Sequence, residues 1–141
     1  MKEIIFLAAF MLALAFTMPL FAAFESATVN GDVIVTDTET GLIWQKTYVV
    51  KTWQQALDYC ENLTYAGYSD WRLPNKNELA SLMNCAKRNP ASDFPDMPSN
   101  DFWSSSTQAR YSSYAWRVLF FEGYVNGYNK TNPKSVRCVR N

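Results

Sequence analysis

The sequence predicts an α+β fold. Period-two, β-prone segments occupy both ends of the chain beyond residue 22, and two helices with their own caps lie between them. The composition supplies the core such a fold needs: 48% of residues are hydrophobic, 16% aromatic and only 18% charged. Disorder has the opposite signature, and 141 residues suit one domain with an appendage.

The appendage comes first. Met1-Lys2-Glu3 precede an unbroken apolar run from Ile4 to Phe16, followed by Thr17, Pro19 and the small pair Ala22-Ala23. A short positive start, an apolar stretch of that length and a helix breaker before small residues predict a secretory signal peptide over residues 1–22. The competing expectation is an uncleaved anchor, because Ile4 to Ala23 is just long enough to span a bilayer; Pro19 and the alanines favour cleavage. No cysteine follows closely enough for a lipid-modified N-terminus. The folded domain is then 23–141, secreted, periplasmic or at the cell surface, with no membrane attachment after cleavage. Export permits disulfides. Cys60, Cys85 and Cys138 allow one bridge and one leftover thiol, or three buried thiols, and spacing alone does not choose the pair.

Along the domain, Val29-Asn30-Gly31-Asp32-Val33 places Asn-Gly between short β-prone runs, the strongest local hairpin signal. Val33 to Thr36 and Leu42 to Gln45 then flank the polar turn Asp37-Thr38-Glu39-Thr40-Gly41. Its acids do not make a calcium loop, since the twelfth position from Asp37 is Tyr48 rather than glutamate; a solvated hairpin turn is expected. Thr52-Trp53-Gln54-Gln55 is a capping box. Trp53, Ala56, Leu57, Cys60 and Leu63 follow as one helical stripe, which turns Cys60 toward the core, where a bridge to a strand is reasonable. Tyr65 to Ser69 ends that helix. Asp70-Trp71-Arg72-Leu73-Pro74 is extended ahead of a second cap at Asn75, answered by Glu78, with Leu79, Leu82 and Met83 as the apolar stripe.

From Asn84 to Asp101 the periodicity dissolves among Pro90, Pro95 and Pro98, and a long loop with solvated carboxylates Asp93, Asp96 and Asp101 is expected. Phe102 to Ser106 returns to strand. Tyr114 to Phe121 alternates, with Trp116, Val118 and Phe120 on one face and Arg117, Leu119 and Phe121 on the other. Glu122-Gly123 turns the chain, Tyr124 to Lys130 runs back, and Ser135 to Arg140 forms the last strand. Tyr124, Asn126, Tyr128 and Lys130 share one face of the returning strand. Together with Arg110 and Tyr111 they are the candidate ligand-binding residues. A tyrosine ring stacks on an apolar surface while its hydroxyl meets water, which suits a sugar or a protein partner. The bland alternative is ordinary cross-strand pairing on a solvated face.

Composition also excludes functions. The 13 basic residues equal the 13 acidic ones, so no cationic surface for nucleic acid is expected. Histidine is absent, which removes imidazole-based catalysis and His-ligated zinc. No phosphate loop, HExxH or CxxC occurs. No cofactor, no metal and no catalytic residue is expected. The tryptophans Trp44, Trp71, Trp103 and Trp116 are expected in the core, and Arg72 with Glu78 is expected as a structural ion pair.

Six blocks in order, DTETGLIWQK (Asp37 to Lys46), WQQALDYC (Trp53 to Cys60), DWRLP with Glu78-Leu79, FWSSS (Phe102 to Ser106), AWRVLFFEG (Ala115 to Gly123) and VRCVR (Val136 to Arg140), resemble the Lcl C-terminal domain family. The resemblance covers nearly all of residues 23–141. It implies a C-type-lectin-like fold, two helices packed on a twisted antiparallel sheet, with the first helix bridged to the last strand through Cys60 and Cys138. It also implies sulfated polysaccharides where such domains recognise glycans. Two departures stand out. No collagen-like stalk is present, and with zero net charge a polyanion would need a local cluster such as Lys130, Lys134, Arg137 and Arg140. The expected function is an exported, non-catalytic, adhesin-like module that binds a carbohydrate or surface protein without calcium, acting through repeated copies or as an oligomer. The alternatives are a structural subunit of a cell-envelope complex and an enzyme of the sulfatase-activating-oxidase-like fold group.

Overall fold

Residues 23–141 are described in the computed structural model; the expected signal segment, 1–22, lies outside the described residues. The domain begins with a hairpin of β1 (Phe24–Val29) and β2 (Asp32–Asp37), in register from Phe24 opposite Asp37 to Val29 opposite Asp32. Asn30 and Gly31 turn it with φ of 50° and 84°. Both central residues of this turn must be left-handed to match strand twist, and Asn and Gly tolerate that conformation best. β3 (Ile43–Gln45) pairs with β2 and with β9 (Val139–Arg140), so the sheet order β1-β2-β3-β9 puts both ends of the domain in one sheet, at its opposite edges. The acidic turn before β3 is not fully solvated. Asp37 is buried, and its carboxylate accepts from the backbone N–H groups of Glu39 (2.9 Å) and Thr40 (3.3 Å).

A second sheet holds β4 (Val49–Lys51), β8 (Lys134–Val136), β5 (Asp101–Thr107), β6 (Tyr114–Leu119) and β7 (Tyr124–Asn129), in that order. Its β5–β8 pair is parallel and the others are antiparallel. A single antiparallel sheet is therefore corrected to two sheets, one of them mixed. The cause is local: the expected strand Ser135 to Arg140 breaks at Arg137-Cys138, whose side chains are both buried, and each half joins a different sheet.

The helices are α1 (Trp53–Glu61) and α2 (Lys76–Ala80). The first starts where its capping box sits, with Thr52 N–H donating to Gln55 Oε1 (3.2 Å). The second has both arms of its box, Glu78 N–H to Asn75 Oδ1 (2.8 Å) and Asn75 N–H to Glu78 Oε1 (2.9 Å). It stops after five residues, yet Leu82 beyond it is still buried. Two apolar clusters result. Adjacent β5 residues point to opposite faces, so Trp103 joins Ala56, Cys60, Trp71 and Val136 on the α1 side. Phe102 joins Trp44, Leu79, Val118 and Phe120 on the α2 side. Trp44, Trp71 and Trp103 are buried as expected; Trp116 is only half-buried, under the Lys76 ammonium (4.8 Å).

Cys60 of α1 is joined to Cys138, 78 residues further on, and Cys85 is free and exposed. The DWRLP segment locks the C-terminus. Arg72 N–H and C=O exchange hydrogen bonds with Val139 (both 2.9 Å), and its guanidinium grips Glu78 bidentately (2.7 Å each) and Asn141 Oδ1 (2.7 Å). Arg140 grips Asp70 in the same way (2.6 and 3.0 Å). The Arg72 hydrogen bonds, helped by the Asn75 backbone, hold the Glu78 carboxyl below 4.5, the ordinary glutamate value, against a smaller opposing effect of burial. A depressed carboxylate stabilises the fold above its unfolded pKa, and that stability is lost as pH falls through the lower folded value. Acid titration of the melting temperature should therefore show a loss beginning below pH 4.5 that Glu78→Gln reduces. Superimposable profiles for the two proteins would show that the pair carries none of the acid sensitivity.

Candidate functional site

The α1 side of the large sheet is covered by helix over β4 and β5. It continues onto β6 and β7, whose register decides what lies there. Leu119 is opposite Tyr124, Arg117 opposite Asn126 and Ala115 opposite Tyr128. Asp101 and Trp103 are opposite Leu119 and Arg117 on the other side, and Lys134 flanks the Phe102–Ser135 pairing. Tyr124, Asn126 and Tyr128 thus share a face, as strand alternation predicts, and Asp101, Arg117 and Lys134 share it with them.

Five of these side chains, all but Tyr124, form one braced patch. The Asp101 carboxylate accepts from Arg117 and from Lys134 Nζ (3.1 Å). Arg117 Nε donates to Asn126 Oδ1 (2.9 Å). The Arg117 guanidinium lies 4.0 Å and the Lys134 ammonium 4.3 Å from the Tyr128 ring centroid, within cation–π range. Tyr128 is half-buried and packs on the α1 cluster, whereas Tyr124 is 43% exposed. Asn126 and Tyr128 are consequently positioned groups, and Tyr124 is an open platform.

Lys130 lies at the other end of the strand. Its ammonium donates to Thr107 Oγ1 (2.9 Å) and Ser112 C=O (2.8 Å) and sits 3.9 Å over the Trp53 ring, so it is a tethered cation rather than a free one. Arg110 and Tyr111 belong to the turn that also supplies Ser112; Tyr111 is 50% exposed, with the Arg110 guanidinium 5.6 Å from its ring. The candidate residues therefore divide into a Tyr124 end and a Lys130–Arg110–Tyr111 end, separated by the length of β7, about 20 Å at roughly 3.3 Å per residue. Only an extended ligand touches both.

Asp101 and Arg117 escaped the sequence reading as site residues, and Lys134 entered it only within a basic cluster for a polyanion. Alternation places Arg117 on its face, but the β5–β6 register that supplies its acid is not written in either strand. One expectation is corrected, and one condition is not met. Of the long-loop carboxylates, Asp93 and Asp96 are solvated as expected, each with a surface partner (Lys87 and Asn84; Lys46 at 2.8 Å), whereas Asp101 is largely covered and held by Arg117 and Lys134. Lys130, Lys134, Arg137 and Arg140 form no basic cluster, because Arg137 is buried and the other three are bound to separate partners. Among the described residues, no group of three Cys, Asp or Glu side chains is placed to hold a metal ion.

The family model described as Lcl C-terminal domain matches residues 33–140. Curated proteins give no match.

Proposed function

The chain belongs to the Lcl C-terminal domain family, and from that premise we propose that it is an exported, non-catalytic binding module of C-type-lectin-like fold. Its ligand is a carbohydrate or a protein partner at the cell surface, taken without calcium. One observation carries this reading: the β7 face presents an exposed tyrosine beside an asparagine and a second tyrosine that a partly buried charge network holds in place. Preorganised aromatic and amide groups lose little conformational entropy on binding, which is what a weak surface contact needs. Tyr124 stacks on the ligand, and Asn126 and Tyr128 orient it. Modest affinity per site is made effective by repeated copies.

The buried disulfide supports export, since such bridges persist in oxidising compartments. No helix among the described residues is long and apolar enough to cross a membrane. A specific observation favours the second reading, a subunit of an envelope assembly: Phe121 (52% exposed) within the β6–β7 turn and Tyr124 just after it give an aromatic tip suited to a protein partner.

The two tyrosines should separate under mutation. Tyr124→Ala is expected to abolish binding and change stability by no more than about 0.5 kcal/mol, as for other exposed sites. Tyr128→Ala is expected to cost about 2 kcal/mol, through lost packing and two lost cation–π contacts. Chemical denaturation and binding measured on the same preparations check both. Intact binding by Tyr124→Ala moves the site off this face.

A further inference from the structure

The large sheet ends in β7, which has β6 on one side and no strand on the other. Lys130 N–H donates to Ser113 C=O (2.9 Å), in the ladder that sets Tyr128 opposite Ala115. Antiparallel bonds alternate along a strand. Tyr124, Asn126 and Tyr128 therefore turn their backbone groups to β6, and Val125, Gly127 and Asn129 turn theirs outward. The Asn129 C=O accepts from Asn132 N–H (3.1 Å), which leaves the Asn129 N–H and both groups of Val125 and Gly127 at the edge. Folded proteins guard such edges with charge, proline, bulges or short strands. β4 has three residues and ends in Lys51, and β9 is covered by the Arg72 backbone. β1 is as long as β7, but its exposed residues, Glu25 to Thr28, include an acid and no large apolar side chain. β7 has six residues in unbroken register with β6, and neither a charge nor a proline.

Three features along this edge lack a partner. Gln108, whose N–H is bonded to Tyr114 of β6 (2.9 Å), reaches over to β7 and fills the space that a Cβ on Gly127 would need. Its Oε1 is buried with no hydrogen-bond donor, and a buried polar atom is ordinarily satisfied. At the Lys130 end of the strand lies a groove of about 470 Å³ lined by Thr52, Trp53, Gln54, Lys130 and Thr131. At the opposite end stands the exposed ring of Tyr124.

We propose that the partner at this edge is a second copy of the chain, paired β7 to β7, antiparallel, about a two-fold axis at Gly127. Gly127 and the partner's Gly127 then exchange N–H···O=C bonds, and each Asn129 N–H donates to the Val125 C=O of the other copy. The two Gln108 carboxamides meet over the paired glycines, where each Nε2 donates to the other's Oε1. On the α1 face, Tyr124 falls directly opposite the partner's Lys130 and so walls the groove of Trp53 and Lys130. The two ends of the candidate site, remote within one molecule, become one site built from two. Zero net charge sets up no long-range repulsion between the copies. The pairing deepens the reading of the β7 face as a binding site, and its test uses no ligand. A monomer that still binds through Tyr124 would sink the pairing alone.

The test is sedimentation velocity over a concentration series, together with disulfide trapping. The wild-type domain is expected to dimerise reversibly below about 1 mM, since one short edge lies at the weak end of interface sizes. In a Cys85→Ser background, Tyr124→Cys combined with Lys130→Cys is expected to give a covalent dimer on mild oxidation, with peptide mapping showing a 124–130 bridge. Opposed residues outside the hydrogen-bonded pairs have Cα atoms about 4.5 Å apart, within disulfide reach. Within one molecule the same positions are about 20 Å apart. Either single cysteine should stay largely unbridged, because the axis keeps each position far from its own copy. Gln108→Glu sets two carboxylates against each other and is expected to weaken dimerisation at least about tenfold, with circular dichroism showing a folded monomer. A domain that stays monomeric at about 1 mM, a double variant without the 124–130 bridge, single variants that bridge as fast as the double, or Gln108→Glu dimerising like the wild type would each overturn the pairing.

Discussion

Replacing Cys60 and Cys138 by alanine, with Cys85→Ser to prevent new pairings, is expected to lower the unfolding free energy by about 4.5 kcal/mol. The bridge spans 78 residues of sequence, and in the chain-entropy treatment it removes that much loop-closure freedom from the unfolded chain. Domains of this size have about 5–15 kcal/mol in total, so the variant should be marginal at ambient temperature. The bridge fastens α1 to the break between β8 and β9, the point from which the chain enters two different sheets. Its loss should therefore release the small sheet's β3–β9 pairing along with the helix. Denaturant titration with fluorescence and far-ultraviolet circular dichroism measures both. A loss below about 1 kcal/mol would mean that the unfolded chain is already compact, or that the two sheets are held together by the core alone.

Arg117→Ala is expected to cost about 3 kcal/mol, the lower end of what breaking a buried ion pair costs. The lower end applies because Asp101 retains Lys134 and its side chain is 25% exposed. The change leaves Asn126 without its donor and strips one cation from Tyr128, so binding at the β7 face should fall as well. Asp101→Ala and the double variant complete a cycle. If the pair is coupled as its geometry indicates, the double variant loses clearly less than the sum of the single ones. Additive losses would show that Arg117 acts through packing alone.

How much of this was legible in the sequence follows from the range of each interaction. Caps at Thr52 and Asn75, the Asn30-Gly31 turn and the shared face of Tyr124, Asn126 and Tyr128 are set by neighbours a few residues apart, and the structure contains all of them. The Asp101–Arg117 pair depends on a strand register, and the Asp70–Arg140 pair joins residues 70 apart; neither leaves a local pattern. The aperiodic stretch after Asn84 read as loop, and its backbone is indeed irregular. Yet Phe94 and Met97 within it are buried, because they close over Arg137, a contact that no periodicity encodes. The last strand misled for a related reason: nothing local in Ser135 to Arg140 marks a break, and the one at Arg137-Cys138 comes from partners elsewhere in the fold.

The claim that the β7 face binds a surface ligand without calcium is tested most directly on a glycan array, probed with residues 23–141 and with the Tyr124→Ala variant, each with and without chelator. The account predicts a signal for the wild-type domain that chelator leaves unchanged and Tyr124→Ala removes. A signal that vanishes with chelator, or that Tyr124→Ala retains in full, would contradict it.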